Sequence, residues 1–407
     1  MTHYNLNTET ENDPTDAILG SSGHQAKSVS LTEVAMYQEN STEANWHFIV
    51  PPRERWGEAI ALVHDHLPEE LRDAVSTNAL QAVDSYGLRF RPVVAEGPKP
   101  SSEASCLPPS FADDRGSSVL AAAYLQEYPG QIACLVGPAQ FCSSLPSSLA
   151  AHPAAVGCVA GLLQTAWEWK VELVQSILEI QAPYPRSALL ESGMRKLTNL
   201  FQMCIEPVGE AHLPEEKELP AEAVAGESWT SFRSLDRTRW LAWLERTYQQ
   251  SADCPELNGV RSAEATLEGY LATSKYPSDT PPRERSIPLP TGTAPDERPA
   301  WQALTVDPIA PEEIAAGFLL AQTAERVWEL AYMGVDPRYR GRGLGKKLLQ
   351  RAIATVAAQG GQRLWLAVDV RNHFAIRLYQ QHGFFIFREL EAWFAASRAF
   401  NIDANVD

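Results

Sequence analysis

The chain has few of the residues that mark metal, redox or nucleic-acid-binding proteins. Its 407 residues include six cysteines, none in a Cys-x-x-Cys pair and none beside a histidine cluster, which argues against a zinc site. Lys and Arg number 34 against 51 Asp and Glu, so the net charge is −17. Such an acidic surface repels nucleic acid and anionic membranes, so neither is an expected partner.

Long apolar runs are also missing. The most apolar helix-like stretch, 149–167, is interrupted by His152, Pro153 and Gln164, so no membrane-spanning helix is predicted. The first residues are polar and acidic, without the apolar core of a signal peptide. Together with the sparse cysteines, this pattern predicts a cytoplasmic protein.

The most informative segment that is present joins a predicted strand, 327–335, to a predicted helix, 346–359. Between them lie three glycines, Gly341, Gly343 and Gly345. Glycines let the backbone curl tightly and turn consecutive N–H groups to one side. Because the start of a helix adds further N–H groups and a partial positive charge, the segment predicts a pyrophosphate-binding site.

Three families place glycine-rich turns between a strand and a helix. A Walker loop is excluded because Lys346 is followed by Lys347 rather than by Ser or Thr, and the glycine spacing excludes a dinucleotide fingerprint. The remaining pattern, Arg340-Gly-Arg-Gly-Leu-Gly345, resembles motif A of the GNAT (GCN5-related) N-acetyltransferases. This resemblance implies that the turn binds acetyl-coenzyme A as a co-substrate.

A second motif follows a predicted buried strand at 364–370. The segment Asn372 to Phe384 carries Asn372, Ala375 and Tyr379 on a short predicted helix and then Gly383-Phe384, and it resembles motif B of the same family. The resemblance covers about 229–395. It implies an α/β fold in which a mixed, mostly antiparallel sheet is flanked by helices.

An internal repeat predicts two tandem GNAT-like domains. The predicted organisation is a disordered tail at 1–44, a degenerate domain at 45–206, a linker at 207–226, and a catalytic domain at 227–398 with a Pro-rich insertion at 276–299 that could act as a lid. The first copy lacks the chemistry, since it aligns Ala154–Val159 with the glycine-rich turn, Leu189 with Tyr379 and Ala182 with Asn372. It is interpreted as a structural domain, although cofactor binding through other residues stays an alternative.

The resemblance also implies roles for individual residues. The backbone of 333–335, beside an expected strand bulge, would pair with the pantetheine arm and offer the oxyanion donor, while Asn372 would contact the cofactor and cap its helix. The cofactor-binding candidates are Met333, Gly334, Val335, Arg340, Gly341, Arg342, Gly343, Leu344, Gly345, Lys346, Asn372 and Ala375. Arg342 and Lys346 could equally be ordinary exposed residues.

Two side chains are candidates for proton transfer. Glu329 lies mid-strand among apolar residues, where a carboxylate is costly without a reason, and it is the predicted general base for the acceptor amine. Tyr379 is the predicted general acid for the leaving thiolate. The alternatives are a salt-bridged structural glutamate and a packed aromatic ring.

The acceptor is expected to bind near the loop 253–259. Asp253 and Glu256 could hold a cationic substrate there, although an ordinary turn explains both residues as well. The predicted function is acetyl-CoA-dependent N-acetylation of a primary amine on a small molecule, protein or peptide. The alternatives are a mycothiol-synthase-like small-molecule acetyltransferase and a non-catalytic acyl-CoA-binding regulator, and the regulator would need neither Glu329 nor Tyr379.

Overall fold

The structure is a computed structural model that describes residues 46–98, 117–141, 145–206, 208, 228–231, 237–249, 251–275, 301–305 and 313–397. The predicted tail at 1–44, the insertion at 276–299 and all of the linker at 207–226 except residue 208 lie outside these ranges. The described residues divide into an N-terminal unit, 46–196 with 393–397, and a C-terminal unit, 197–392. The unit boundary therefore falls near residue 197, whereas the sequence predicts it at 206.

The N-terminal unit begins with one strand and two helices and continues with three strands before a long helix. Its elements are β1 (His47–Ile49), α1 (Trp56–Val63), α2 (Glu69–Tyr86), β2 (Phe90–Pro98), β3 (Ser117–Tyr128), β4 (Ile132–Gln140), α3 (Leu145–Glu168), β5 (Leu173–Glu179), α4 (Arg186–Glu191) and the start of β6 (Arg195–Ile205). The strand order is β1-β2-β3-β4-β5. Only the β4–β5 pair among these is parallel.

The C-terminal unit has the same order of elements. They are β7 (Ser228–Ser231), α5 (Arg237–Tyr248), α6 (Ala263–Lys275), β8 (Trp301–Thr305), β9 (Ala316–Ala324), β10 (Val327–Val335), α7 (Leu344–Ala358), β11 (Arg363–Asp369), α8 (His373–Gln381) and β12 (Phe385–Ala396). The end of β12, from residue 393 onward, belongs to the N-terminal unit. The strand order is β6-β11-β10-β9-β8-β7. β10–β11 is parallel, whereas β6–β11, β10–β9, β9–β8 and β8–β7 are antiparallel. The predicted class, a mixed and mostly antiparallel sheet flanked by helices, is therefore confirmed.

The two units repeat one another in detail. Leu173 and Arg363, which begin β5 and β11, are 190 positions apart, and the ends of α3 and α7 keep that spacing. The Phe384 N–H donates to the Tyr379 carbonyl over 3.1 Å, and the Met194 N–H donates to the Leu189 carbonyl over 3.0 Å. Leu189 therefore occupies the position of Tyr379, as the sequence predicts.

One predicted equivalence is wrong. Ala154–Val159, aligned with the glycine-rich turn, lies inside α3, a helix of 24 residues. Since helical N–H groups are bonded to carbonyls four residues earlier, this segment offers no free N–H groups to a phosphate. Similarity between short apolar segments does not reveal that the helix of the first copy extends nine residues further toward its N-terminus.

Two apolar clusters cover the two faces of the C-terminal sheet. On one face α7 buries Leu348, Leu349, Ala352, Ile353 and Val356, the residues whose three- and four-residue spacing predicts an amphipathic helix. On the other face α5 buries Trp240, Trp243 and Leu244. Within the described ranges, no helix is both long and apolar enough to cross a bilayer.

Candidate active site

The central feature of the C-terminal unit is a cleft between two parallel strands. β10 pairs with β11 only over Val327–Glu329, whereas it stays paired with β9 as far as Val335. β11 meanwhile stays paired with β6 as far as Asp369. Although β10 is an interior strand, residues 331–335 all retain partial solvent exposure. The two strands therefore separate immediately after Glu329 and leave an accessible space between them.

A β-bulge in β10 determines which side chains face which side of this cleft. The register with β9 shifts between Leu330 and Tyr332, so Ala331 is the extra residue. Trp328, Leu330 and Met333 pack in the cluster beneath α7, while Ala331 and Tyr332 pack against α5 and α6. Glu329, which lies between Trp328 and Leu330, consequently points to the α5–α6 face. A bulge is present as predicted, but it lies two residues before 333–335.

The peptide groups of the predicted 333–335 segment are partly engaged. Met333, Gly334 and Val335 pair with Phe318, Gly317 and Ala316 of β9. Because successive residues of a strand turn their peptide groups to opposite sides, the remaining groups of this segment face the cleft.

The chain leaves β10 through a turn that a buried carboxylate organises. Asp336 is fully buried and accepts hydrogen bonds from the Arg338 N–H (3.0 Å), the Arg338 guanidinium (2.9 Å) and the Arg246 guanidinium (2.6 Å). Burial alone would favour the neutral acid, but the two arginines outweigh it and lower the pKa of Asp336 to about 2. The turn is thus tied to the C-terminal end of α5.

Two of the three glycines are required by the backbone of this turn. Gly341 and Gly343 have φ angles of +77° and +78°, a left-handed conformation that other residues rarely adopt. Gly345 lies inside α7, and a Cβ there would meet Leu378 at an ordinary 3.5 Å. The prediction that all three glycines bend the turn is therefore wrong for Gly345, because α7 begins at Leu344, two residues earlier than predicted.

The turn has N–H groups that are outside the helical hydrogen-bond ladder, whereas its two arginines contact other parts of the protein. The first helical bond of α7 runs from the Lys347 N–H to the Gly343 carbonyl (3.3 Å), so the N–H groups of Leu344, Gly345 and Lys346 precede the ladder. Arg340 donates to the carbonyls of Val335, Thr247 and Gln249 at 3.1–3.2 Å. The exposed Arg342 lies over the Tyr339 ring, 5.2 Å from its centroid.

Glu329 has the environment expected of a base. Its side chain is 1% exposed, and burial raises its pKa to about 7. It lies level with Ala321 of β9 and Trp365 of β11, at the last paired position before the strands separate. A carboxyl group with this pKa can exchange a proton near neutral pH.

The second motif lies at the carboxyl end of β11. Asn372 caps α8 by accepting a hydrogen bond from the Ala375 N–H (3.2 Å), so its predicted capping role is confirmed. Tyr379 is 8% exposed and packs on Phe384 with 5.8 Å between ring centroids. Burial, and then the charge of Asp253, raise the pKa of Tyr379, so its hydroxyl stays protonated.

Three tyrosines line the α5–α6 face of the cleft and are here called the tyrosine wall: Tyr248, Tyr270 and Tyr332. The Tyr248 and Tyr270 rings lie 5.5 and 5.3 Å from the Tyr332 ring. The Tyr248 and Tyr270 hydroxyls are 2.8 Å apart, and the Tyr332 hydroxyl is 2.8 Å from the Thr247 hydroxyl. All three tyrosines keep partial solvent exposure, so they border accessible space rather than a closed core.

The predicted acceptor loop is fastened to the end of β11. The Asp253 carboxylate accepts from the Asp369 N–H (2.8 Å), and the buried Asp369 carboxylate accepts from the Cys254 N–H (3.1 Å). Glu256 is held by two hydrogen bonds from Arg371, the longer of 2.9 Å. Its charge is therefore already paired, which argues against the predicted role of Glu256 in holding a cationic substrate.

Asp253 is the acidic residue of this loop that remains available to the cleft. Burial raises its pKa to about 6, although the hydrogen bond from Asp369 acts in the opposite direction. Asp253 also interacts electrostatically with Tyr379 and with each member of the tyrosine wall. It therefore lies between the wall and α8.

The sequence did not single out the tyrosine wall. Tyr332 is three residues from Glu329, a spacing that in a regular strand would put the two side chains on opposite faces, and only the bulge reverses this. Tyr248 and Tyr270 are separated by a whole loop and become neighbours only when α5 packs against α6.

Comparison with known proteins is consistent with this geometry. Residues 278–384 match the model of the acetyltransferase (GNAT) family. The chain is 38% identical over 81 residues to the mycothiol acetyltransferase of Jonesia denitrificans, an alignment that covers 19% of this chain and 26% of the relative. It is 43% identical over 67 residues to the spermine/spermidine N(1)-acetyltransferase of Bacillus subtilis, with coverage of 16% and 43%.

The chain thus spans less than half the length of the curated relatives it matches. Among solved structures, a GCN5-related N-acetyltransferase from Sphaerobacter thermophilus aligns with 88% of this chain and 98% of its own, at 16% identity and a TM-score of 0.49.

Proposed function

We propose that this chain, whose residues 278–384 match the model of the acetyltransferase (GNAT) family, transfers an acetyl group from acetyl-CoA to a primary amine in its C-terminal unit. The observation that carries the proposal is the separation of β10 and β11 just after Glu329. This cleft opens at the end of the sheet where both strands lead into helices, which is where open α/β sheets bind ligands.

The glycine-rich turn supports binding of the cofactor's diphosphate. Its two left-handed glycines and the first N–H groups of α7 form a concave set of donors suited to phosphate oxygens. The acetyl-CoA thioester would supply the acetyl group. Arg340 would act indirectly, by fixing the turn against α5, and Arg342 and Lys346 would add positive charge near the phosphates.

The cleft edge of β10 would hold the rest of the cofactor. Peptide groups of 333–335 that point away from β9 are available to the pantetheine arm and to a developing oxyanion. Asn372 and Ala375 begin the helix on the opposite side of the cleft, so they would contact the cofactor from β11.

Two side chains would move protons. An alkylammonium group has a pKa near 10, so the acceptor must lose a proton before it attacks. Glu329, with its pKa raised by burial to about 7, would accept that proton directly or through water. Tyr379, kept neutral by burial, would donate a proton to the departing thiolate of coenzyme A.

The N-terminal unit would not bind the cofactor. It has Leu189 at the position of Tyr379. Cys134 of β4 takes the place of Glu329 of β10, because each lies two residues after the start of the parallel pairing in its own unit. Val136 and Ala139 of the N-terminal unit, two and five residues beyond Cys134, are buried. The corresponding β10 residues, Ala331 and Gly334, are partly exposed. We therefore propose a structural role for this unit.

A thiol-release assay with acetyl-CoA and a panel of amines tests the proposal. We expect coenzyme A to appear only when an amine is present, and the N-acetylated amine to form in equal amount. The similarity to mycothiol acetyltransferase makes a small thiol carrying a free amine a second candidate acceptor, and it belongs in the same panel. Binding of acetyl-CoA without turnover on any amine would favour the non-catalytic regulator.

A further inference from the structure

The α5–α6 face of the cleft contains a second carboxylate, Asp253, which is displaced from Glu329 along the direction of β11. Glu329 is level with Trp365, and the Asp253 carboxylate is hydrogen-bonded to the N–H of Asp369. Four residues of β11 separate these two levels, which corresponds to about 13 Å along the strand. The two carboxylates therefore mark the two ends of one stretch of β11.

The floor between these ends is open. Trp365, Ala367 and Asp369 alternate onto the same face as the acceptor loop, because their neighbours Leu364, Leu366 and Val368 pack beneath α7. Ala367 is the smallest of the three and keeps partial solvent exposure, whereas Trp365 and Asp369 are buried. The stretch over Ala367, here called the groove, is thus its accessible part, and Tyr332 lies on the same face of the neighbouring β10.

The surroundings of this groove suit an elongated, positively charged ligand. The tyrosine wall offers π-faces, which attract ammonium groups and pack against methylene chains. Asp253 adds a negative charge whose charged neighbours are Asp369 and Arg371, and Arg371 is itself paired with Asp369 and Glu256. The positive charge of Arg261 interacts electrostatically with Tyr248 and Tyr270. It would repel a ligand cation, which would therefore bind at the Asp253 end of the groove.

Building on the proposed acetyl transfer, we propose that the acceptor is an extended aliphatic diamine or polyamine whose second ammonium group binds between Asp253 and the tyrosine wall. The reacting amine lies beside Glu329, and the methylene chain crosses Ala367. Allowing about 3 Å for a hydrogen bond at each end, the two nitrogens are about 7 Å apart. The reacting ammonium first gives one proton to Glu329, which passes it to solvent, and the neutral nitrogen then attacks the thioester carbonyl. The C–S bond breaks and coenzyme A leaves as the thiolate, while the nitrogen gives its second proton to Glu329. Tyr379 protonates the thiolate and regains its proton from solvent.

A chain-length series tests this proposal. Diamines from 1,2-diaminoethane to 1,10-diaminodecane, together with spermidine, are compared with n-alkylamines of equal length by coenzyme A release. We expect kcat/KM for the best diamine to exceed that of its monoamine by at least about tenfold, the effect of one cation–π contact or one charged hydrogen bond of ordinary strength. The optimum should lie near 1,5-diaminopentane, with 1,2-diaminoethane a poor substrate.

Two variants assign the effect to this groove. Asp253→Asn keeps an oxygen for the Asp369 N–H but removes the charge, so it should bring the diamine-to-monoamine ratio close to one through a higher KM for the diamine. Ala367→Leu should suppress the long amines most. Glu264→Gln removes one exposed carboxylate that pairs with Arg237, away from the cleft, and should leave the ratio unchanged.

The outcomes separate this inference from the proposed function. Turnover of amines with equal rates for diamines and monoamines, or a ratio unaffected by Asp253→Asn, overturns the inference and leaves acetyl transfer standing. Faster turnover of an N-terminal alanyl peptide or of a cysteinyl amine than of any diamine overturns it as well. No turnover on any amine overturns both.

Discussion

Glu329 and Tyr332 lie on the same face of β10 although three positions separate them. The bulge at Ala331 causes this, because it inserts one residue between strands that otherwise alternate regularly. As a result the carboxylate with the pKa of about 7 and the ring at the centre of the tyrosine wall both face the α5–α6 side of the cleft. Tyr379 packs in the cluster beneath α7, so acceptor and cofactor would approach from different faces and meet where β10 and β11 separate.

Replacing Glu329 by Gln should lower kcat by about 10²-fold, a common effect of losing a general base, without changing the affinity for acetyl-CoA. In the unaltered protein the base form is populated above the pKa of Glu329, so kcat should rise as the pH passes through about 7. The variant should lose this limb of the profile. Glu325→Gln, in the exposed turn before β10, serves as the control, and an unchanged pH profile in Glu329→Gln would refute the role as base.

Replacing Tyr379 by Phe should reduce kcat by roughly 10²-fold while the protein stays folded. The ring that packs on Phe384 is retained, and among the described residues none forms a hydrogen bond with the lost hydroxyl. Circular dichroism and single-turnover coenzyme A release are the measurements, with Tyr128→Phe in the N-terminal unit as the matched change. Equal rates for the two variants would show that Tyr379 is only a packed aromatic residue.

The two kinds of glycine in the turn should respond differently to alanine. Gly343→Ala forces a Cβ into a left-handed conformation, at a cost of about 1–2 kcal/mol, and should weaken acetyl-CoA binding by about tenfold. Gly345→Ala occupies a helical position with space for the methyl group and should raise helix stability slightly. Calorimetric affinities and melting temperatures of both variants check this, and identical affinities would mean that the turn does not bind the cofactor.

Replacing Arg340 and replacing Arg342 should have different effects on the melting temperature. Arg340→Met removes donors from three backbone carbonyls and should loosen the turn, raising the dissociation constant for acetyl-CoA by about tenfold and lowering the melting temperature by a few degrees. Arg342→Met loses a ring contact, one long hydrogen bond to the Arg338 carbonyl (3.4 Å) and an exposed charge, so the melting temperature should change by less than in Arg340→Met. If Arg342→Met destabilises the protein as much as Arg340→Met, Arg340 does not have the bracing role described above.

Local sequence signals predicted the elements that position the site. β10 was predicted with its observed bounds because it is an apolar run whose one charged residue is Glu329, and α7 because its apolar residues recur at helical spacing. The start of α7 was missed by two residues, since Leu344 and Gly345 read as part of the glycine-rich motif. Side-chain partners were less predictable: nothing in the sequence shows that Arg340 reaches the carbonyls of α5 or that Arg371 already holds Glu256.

Long-range packing accounts for the remaining differences between the sequence-based predictions and the structure. The tyrosine wall joins residues from α5, α6 and β10, and such contacts depend on how helices sit on a sheet rather than on local spacing. The helical state of Ala154–Val159 was missed for a related reason, because repeat alignment by apolar pattern does not register a helix that is extended by two and a half turns.

The central claim is that the turn at 336–343 and the start of α7 bind the diphosphate of a coenzyme A thioester. Titration of the full chain with acetyl-CoA in a calorimeter tests it most directly. We predict saturable heat with one site per chain, and its loss when Gly341 and Gly343 are both changed to Val. Two sites per chain, no heat at roughly millimolar ligand, or equal heat from the double variant would contradict the claim.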